Sequence, residues 1–159
     1  MTDVVALATE LLAIPSTTRD EGAAVDFVSR WLVARGWNVM VQEVTPGRGN
    51  VWASRKGGGV TLSTHLDTVP PYVPPKRADG RLHGRGACDA KGIAAAMMVA
   101  ADALATAGEE RVDLLLVVGE ERGSDGRAWR TSSPRRVDGS STASPPRARS
   151  RPGARARSA

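Results

Sequence analysis

The chain has 159 residues, enough for one ordinary domain, and a net charge of +5 at neutral pH. The charge is uneven: residues 1–126 carry 13 basic and 16 acidic groups, whereas residues 127–159 carry nine Arg and one acid. The basic excess belongs to the tail and does not by itself indicate nucleic-acid binding. A single cysteine excludes an internal disulfide framework. Without a signal-peptide pattern or an apolar run of about 18 residues, we expect a cytoplasmic protein that spans no membrane.

Helical and extended segments alternate through the body of the chain. In order, the patterns predict helices at 3–13 and 21–35, strands at 37–41, 50–55 and 60–64, a helix at 91–107 and a strand at 112–118. The last strand is nearly all aliphatic, as expected of a central strand buried on both faces. This order implies an α/β layered domain whose mixed, partly parallel central sheet is flanked by helices.

Residues 127–159 differ from everything before them, since 28 of these 33 residues are Arg, Ser, Pro, Ala or Gly. Such a segment cannot bury enough apolar surface to offset its ordering entropy, so we predict that it is disordered. The abrupt change favours the hypothesis that the tail is an out-of-frame translation of a GC-rich gene. Without further strands, the strand at 112–118 would leave an aliphatic edge exposed, which predicts poor solubility.

The first candidate site residues, His65 and Asp67, end a predicted strand within the segment Thr64–Pro70. Side chains two apart on a strand point the same way, so this pair can touch. A carboxylate beside an imidazole fixes its tautomer and raises its basicity as a metal ligand. The alternative is an ordinary surface loop in which the histidine and the aspartate are hydrogen-bonded.

The second candidate, Asp89, follows Gly84 and Gly86 and directly precedes a predicted helix. Glycines would allow the backbone to approach closely, as a carboxylate that bridges two cations requires. The alternative is a helix N-cap, a position that Asp favours strongly.

The third candidate is the pair Glu120-Glu121, which follows the aliphatic strand. In a hydrolase, one of the two would ligate a metal and the other would take a proton from bound water. The alternative is a solvated acidic loop. Of the remaining reactive residues, His83 is predicted to be structural and Cys88 to be a small buried residue. A catalytic role for Cys88 is disfavoured because no base is placed for it.

Together these segments resemble a zinc-dependent metallopeptidase and deacylase family that includes acetylornithine deacetylase, succinyl-diaminopimelate desuccinylase, aminoacylase and carboxypeptidase G. The resemblance runs from about residue 5 to residue 126 and includes the segments Leu12–Ser16, His65–Pro70, Gly84–Gly92 and Gly119–Glu121. The order and separations agree, with 24 residues from His65 to Asp89 and 31 from Asp89 to Glu120. Residues 1–126 would then be the N-terminal part of a catalytic domain.

The resemblance implies a role for each candidate residue. His65 would ligate one zinc ion, Asp89 would bridge two, and Glu121 would ligate the other. Asp67 would support His65, and Glu120 would be the general base in hydrolysis of N-acyl amino acids or small peptides. Zinc is the implied metal, two ions in the intact enzymes, with cobalt or manganese as substitutes.

The chain departs from that family after Glu121. The family supplies a further acidic ligand, a late His and an inserted lid domain that carries the dimer interface. Here residues 127–159 offer only Asp138 and no His. We therefore expect a truncated, impaired enzyme most like the acetylornithine deacetylase branch. The competing hypothesis is an inactive domain whose Arg-rich tail binds nucleic acid or an acidic partner with salt-dependent affinity.

Overall fold

A computed structural model describes residues 2–123 and 135–137 of the chain. The helices are α1 (Val4–Ala13), α2 (Gly22–Val33) and α3 (Lys91–Thr106). The strands are β1 (Asn38–Thr45), β2 (Arg48–Ser54), β3 (Val60–His65), β4 (Lys76–Ala78), β5 (Arg81–His83), β6 (Val112–Val117) and β7 (Arg135–Val137). No helix within the described ranges has the length and apolar character needed to cross a membrane.

The helix ends follow the local signals in the sequence. Asp3 caps α1, because its Oδ1 accepts a hydrogen bond from the Val5 backbone N–H at 2.9 Å. Gly36 ends the turn after α2 with a φ of 78°, a left-handed conformation that glycine adopts without steric cost. The predicted helices at 3–13, 21–35 and 91–107 are therefore confirmed, with ends that differ by no more than two residues.

Five strands form one mixed sheet in the order β3-β6-β2-β1-β7. Strands β3 and β6 run parallel, and each of the other neighbouring pairs is antiparallel. The prediction of an α/β domain with a mixed, partly parallel sheet is confirmed. The short pair β4-β5 forms a separate two-stranded sheet that the sequence patterns did not indicate.

The core lies between the helices and one face of the large sheet. Cross-strand partners share a face, and the registered positions Val41, Val51 and Leu116 are all buried there. Helix α2 packs on β1 and β2, and α3 packs on β3 and β6. Helix α1 covers α3, and its buried positions Leu7, Leu11 and Leu12 join the same core.

Two expectations about the last strands change. Strand β6 lies between β3 and β2 and is hydrogen-bonded on both sides, so the predicted open aliphatic edge at 112–118 is wrong. On the β6 side of the sheet the edge strand is β3, most of whose residues are exposed or half-buried. Within the predicted disordered tail, Arg135–Val137 form a strand against β1. The rest of the prediction for 127–159 lies outside the described residues.

The parallel pair places the candidate residues together. In a parallel pair, the carboxyl ends of both strands lie at the same edge of the sheet. His65, the last residue of β3, is registered with Val117, the last residue of β6. The segment after β6 therefore emerges beside His65. Asp89 precedes α3, the helix that connects these two strands.

Candidate metal centre

His65 is held at the end of β3 with a defined ring orientation. Its side chain is 10% exposed, and its Nδ1 lies 3.0 Å from the backbone carbonyl oxygen of Asp67. A carbonyl oxygen can only accept, so Nδ1 of the neutral ring carries the hydrogen and donates it. In this structure Nε2 faces Asp89, and once Nε2 has lost its proton its lone pair could bind a cation, which is the usual arrangement of a metal-ligating histidine.

Asp67 is buried and accepts hydrogen bonds from three other residues of the site. Its carboxylate is fully buried, with Oδ1 3.4 Å from His65 Nδ1. Oδ1 also accepts a hydrogen bond from the Glu120 backbone N–H at 3.0 Å. Oδ2 accepts one from the Glu121 N–H at 3.0 Å and one from the Thr18 hydroxyl at 2.9 Å. A buried carboxylate needs such donors, and here they fix the backbone that carries both glutamates.

The other carboxylates face His65 from exposed positions. Asp89 Oδ1 lies 2.9 Å from His65 Nε2, although the Asp89 side chain is 72% exposed. Glu120 Oε2 lies 3.9 Å from the same nitrogen, and its side chain is 55% exposed. One ligand atom each from His65, Asp89 and Glu121 lie within 4.8 Å of one another. The structure therefore brings together all five residues that the sequence singled out.

The acidic surroundings act on the protonation of His65. Burial lowers the pKa of the ring, but the hydrogen bond to Asp89 and the negative charges of Asp67 and Asp89 outweigh it. The net result is a pKa raised above 6.5. The same negative charge that stabilises a proton on His65 would also stabilise a divalent cation.

Several supporting residues were not singled out from the sequence. Ser16 donates its hydroxyl to the Leu66 carbonyl at 2.7 Å, and the Thr68 N–H donates to the Ser16 carbonyl at 2.9 Å. Together with the Thr18 contact to Asp67, these bonds attach the segment 16–18 to the segment 66–68. The polar run after Pro15 was the available signal, but its partners are about 50 residues away in the sequence.

Asn50 supports the glutamate pair from the other side. It is fully buried on β2, and its Oδ1 accepts a hydrogen bond from the Val118 N–H at 3.0 Å. Val118 is the residue before Gly119, whose φ of 73° turns the chain towards Glu120. The end of β6 is therefore fixed before the glutamates begin.

The structure also shows where Asp89, Cys88 and His83 lie relative to their predicted positions. Asp89 does not cap α3, because the N-cap position is Ala90 and has no side-chain capping bond. Cys88 is exposed, so the prediction of a small buried residue is wrong. The loop from Gly84 carries it towards solvent, beside Asp89. His83 is exposed on β5 and registered with Lys76, outside the His65, Asp89 and Glu121 group.

The donor set fits a divalent transition metal. One imidazole nitrogen and two carboxylates are the ligand types of catalytic zinc sites, which bind at about 2.0–2.2 Å and keep a coordination position open. The Nδ1 hydrogen bond of His65 and the backbone hydrogen bonds of Asp67 supply the outer support that such sites use.

Comparison with known proteins shows the family to which this chain belongs. The model of the peptidase family M20/M25/M40 matches residues 61–143. This chain belongs to that family, whose metallopeptidases use metal ions. A probable carboxypeptidase of Aspergillus clavatus is 37% identical over 142 residues, covering 79% of this chain and 31% of the relative. A peptidase M20 domain-containing protein of Schizosaccharomyces pombe is 36% identical over 128 residues, covering 75% and 32%. The chain thus spans about a third of the length of these curated relatives.

Solved structures share the fold. The M20 family metallo-carboxypeptidase of Sulfolobus solfataricus superposes with a TM-score of 0.66 at 23% identity, covering 78% of this chain and 32% of that one. Human carnosine dipeptidase 1 also gives 0.66, at 22% identity, covering 76% and 32%. A dinuclear metal-binding M20 peptidase of Bacillus subtilis gives 0.56 at 17% identity, covering 79% and 39%.

Proposed function

We propose that this chain is part of a metal-dependent hydrolase that cleaves an amide bond in N-acyl amino acids or short peptides. The observation that supports the proposal is the convergence of ligand atoms of His65, Asp89 and Glu121 within 4.8 Å, with Glu120 beside them. Residues 1–126 would form the N-terminal part of the catalytic domain, and Arg135–Val137 of the following segment add a strand to its sheet. We place the protein in the cytoplasm.

The proposed roles follow from exposure and contacts. His65, Asp89 and Glu121 would hold the metal, and a bound metal supplies a water of lowered pKa and polarises the amide carbonyl. Glu120 is exposed and within 3.9 Å of His65 Nε2, so its carboxylate would take a proton there and return it to the leaving amine. Asp67 accepts three hydrogen bonds in a buried position, so it would orient the site rather than transfer a proton.

The metal and the substrate class follow from the ligands and the relatives. We propose zinc, with cobalt or manganese as substitutes, because nitrogen and carboxylate ligands suit these ions. Two ions would match the dinuclear peptidase of Bacillus subtilis. The carboxypeptidase and dipeptidase names of the relatives favour substrates with a short acyl or peptidyl group next to a free carboxylate. An acetylornithine deacetylase-like substrate belongs to the same class.

The described ligand set also suggests an impaired site. The described residues bring three ligand side chains to one place, which is enough to bind one ion. A second ion would have fewer protein ligands among them. We therefore propose modest metal affinity and slow turnover for this chain.

Metal analysis and an activity assay test the proposed function. The full chain is incubated with zinc, dialysed and analysed for bound metal, and then assayed against N-acetyl amino acids and dipeptides. We expect bound metal and slow hydrolysis that Glu120→Gln reduces about 100-fold while metal content is kept. Glu10→Gln on the exposed side of α1 is the matched control. Absence of bound metal, or equal hydrolysis by wild type and Glu120→Gln, would contradict the proposal.

A further inference from the structure

The position of Asp89 depends on the backbone of its loop. The Asp89 side chain is largely exposed, and among the described residues its hydrogen bond is to His65. The loop from Gly84 to Gly92 is compact, with the Ala87 N–H donating to the Gly84 carbonyl and the Gly92 N–H donating to the Gly86 carbonyl. Whatever fixes this loop also fixes the Asp89 carboxylate.

Lys91 is the buried group at the centre of that loop. It is 1% exposed, and its Nζ donates to the backbone carbonyl of Leu11 at 3.2 Å and to that of Ile14. Both carbonyls lie at the C-terminal end of α1, where the negative end of the helix dipole attracts a cation. Among the described residues, no carboxylate forms an ion pair with Lys91. The ammonium is therefore stabilised by the end of α1.

The hydrocarbon part of Lys91 shapes the loop. A Cβ atom added at Gly86 would lie 3.2 Å from Lys91 Cδ and 3.0 Å from Thr68 Cγ2. A Cβ atom at Gly92 would lie 2.1 Å from the Ala87 carbonyl oxygen. The first approach shows that the loop backbone at Gly86 packs against the lysine side chain, and the second shows that the loop closes tightly on the first turn of α3. Lys91 thus joins two parts of the molecule, the end of α1 and the loop that carries Asp89.

We propose that Lys91 is a positioning residue of the metal centre, which clamps the loop carrying Asp89 to the end of α1 and so holds the Asp89 carboxylate beside His65. This inference rests on the proposed function of the site. Lys91 does not reach the ligand atoms, because its Nζ is occupied by the two α1 carbonyls. Its effect is transmitted through Ala90, the N-cap of α3 and the one residue between Lys91 and Asp89.

The variant Lys91→Met tests this role, because it keeps an unbranched apolar side chain and removes the three N–H donors. Full-length protein is titrated with Co²⁺, and the visible absorption band of the bound ion is recorded. We expect the affinity for Co²⁺ to fall about tenfold or more, and the band to weaken as Asp89 leaves the coordination sphere. Amide exchange of residues 84–92 should become faster. Lys76→Met, at an exposed lysine on β4, is the matched control and should bind as wild type does.

The outcomes separate this inference from the proposed function. If wild type binds no Co²⁺, the proposed function fails first. If wild type binds and folded Lys91→Met binds equally well with the same band, the positioning role is overturned. Should Lys91→Met fail to fold, Lys91→Arg is the second test. The larger guanidinium group places its N–H donors differently from the ammonium. We therefore expect at least about a threefold lower affinity for Co²⁺, with an unchanged circular dichroism spectrum. Wild-type affinity in folded Lys91→Arg would then count against the inference.

Discussion

The strand-borne part of the site and its loop-borne part differ in how they are held. His65 and Asp67, at the end of β3, have side chains that are 10% and 0% exposed and are hydrogen-bonded in several directions. Asp89 and Glu120 lie in loops and are 72% and 55% exposed. The first part is therefore organised by the fold alone, whereas the second part depends on its loop backbone and, by our proposal, on a bound ion. Mutations in the two parts should therefore have different signatures.

The largest loss of stability is expected from Asp67→Asn. The amide would turn a donor towards backbone N–H groups that now meet a buried carboxylate, leaving part-buried donors without acceptors. We expect a decrease of about 3 kcal/mol in the free energy of unfolding, measured in urea, together with weaker metal binding. The exposed Asp26→Asn on α2 is the control. A stability loss no greater than that of the control would remove the difference between the two parts.

Asp89→Asn should show the opposite signature. Exposed positions rarely change the free energy of unfolding by more than about 0.5 kcal/mol, so the metal-free protein should unfold as wild type does. Metal affinity should nevertheless fall at least about tenfold, because a proposed ligand has lost its charge. Calorimetric titration and urea unfolding of the same preparation measure both quantities. A large stability loss without a change in metal affinity would mean that Asp89 belongs structurally with Asp67.

Thr18→Val weakens the hydrogen bonding of the Asp67 carboxylate while leaving Asp67 itself unchanged. The variant removes the hydroxyl that donates to Asp67 Oδ2 while keeping the shape of the side chain. We expect a loss of about 1 kcal/mol in unfolding free energy and partial recovery with Thr18→Ser. Thr106→Val removes an exposed hydroxyl bond at the end of α3 and is the matched control. If the serine variant unfolds like the valine variant, the hydroxyl is not what matters.

Replacement of Asp113 should change the free energy of unfolding in the opposite direction. It is buried on β6, far from the metal ligands in the register of the strand, and its Oδ1 has no described hydrogen-bond partner. Burial raises its pKa, so the folded state holds the proton more tightly than the unfolded state. Stability is therefore lost as the pH rises from 3.8 through the raised pKa.

We expect Asp113→Asn to be about 1 kcal/mol more stable than wild type at pH 7. The difference should disappear below pH 3.8, where the carboxyl is protonated in both states. Urea unfolding across this pH range measures it. A variant that is less stable at every pH would show that the carboxylate has a stabilising partner.

The sequence predicted the parts of the site that depend on local rules. The i, i+2 spacing of His65 and Asp67 correctly predicted that they touch, although Asp67 lies just after the end of β3. The parallel strands around a helix brought Glu120 to the same edge. The helix ends could also be predicted, since a capping residue such as Asp3 hydrogen-bonds to a residue close by in the chain.

What escaped prediction depends on distant or backbone partners. Lys91 bonds to carbonyl groups of α1, and any residue type can supply a carbonyl. Thr18 and Asn50 bond to groups 49 and 68 residues away. The burial predicted for Cys88 followed its small apolar character, whereas the turn of its loop left it exposed. The two-sided pairing of β6 needed the strand order, which local patterns do not contain.

The parallel pairing of β3 with β6 also has a consequence for folding. The two strands are joined by residues 66–111, so their pairing closes a long loop before its hydrogen bonds can form. Such non-local pairing is slow compared with formation of the β1-β2 hairpin. His65 and the Glu120-Glu121 segment meet only when that loop is closed. Metal binding would therefore follow this late step. The rate at which metal binding appears during refolding would measure the rate at which folding is completed.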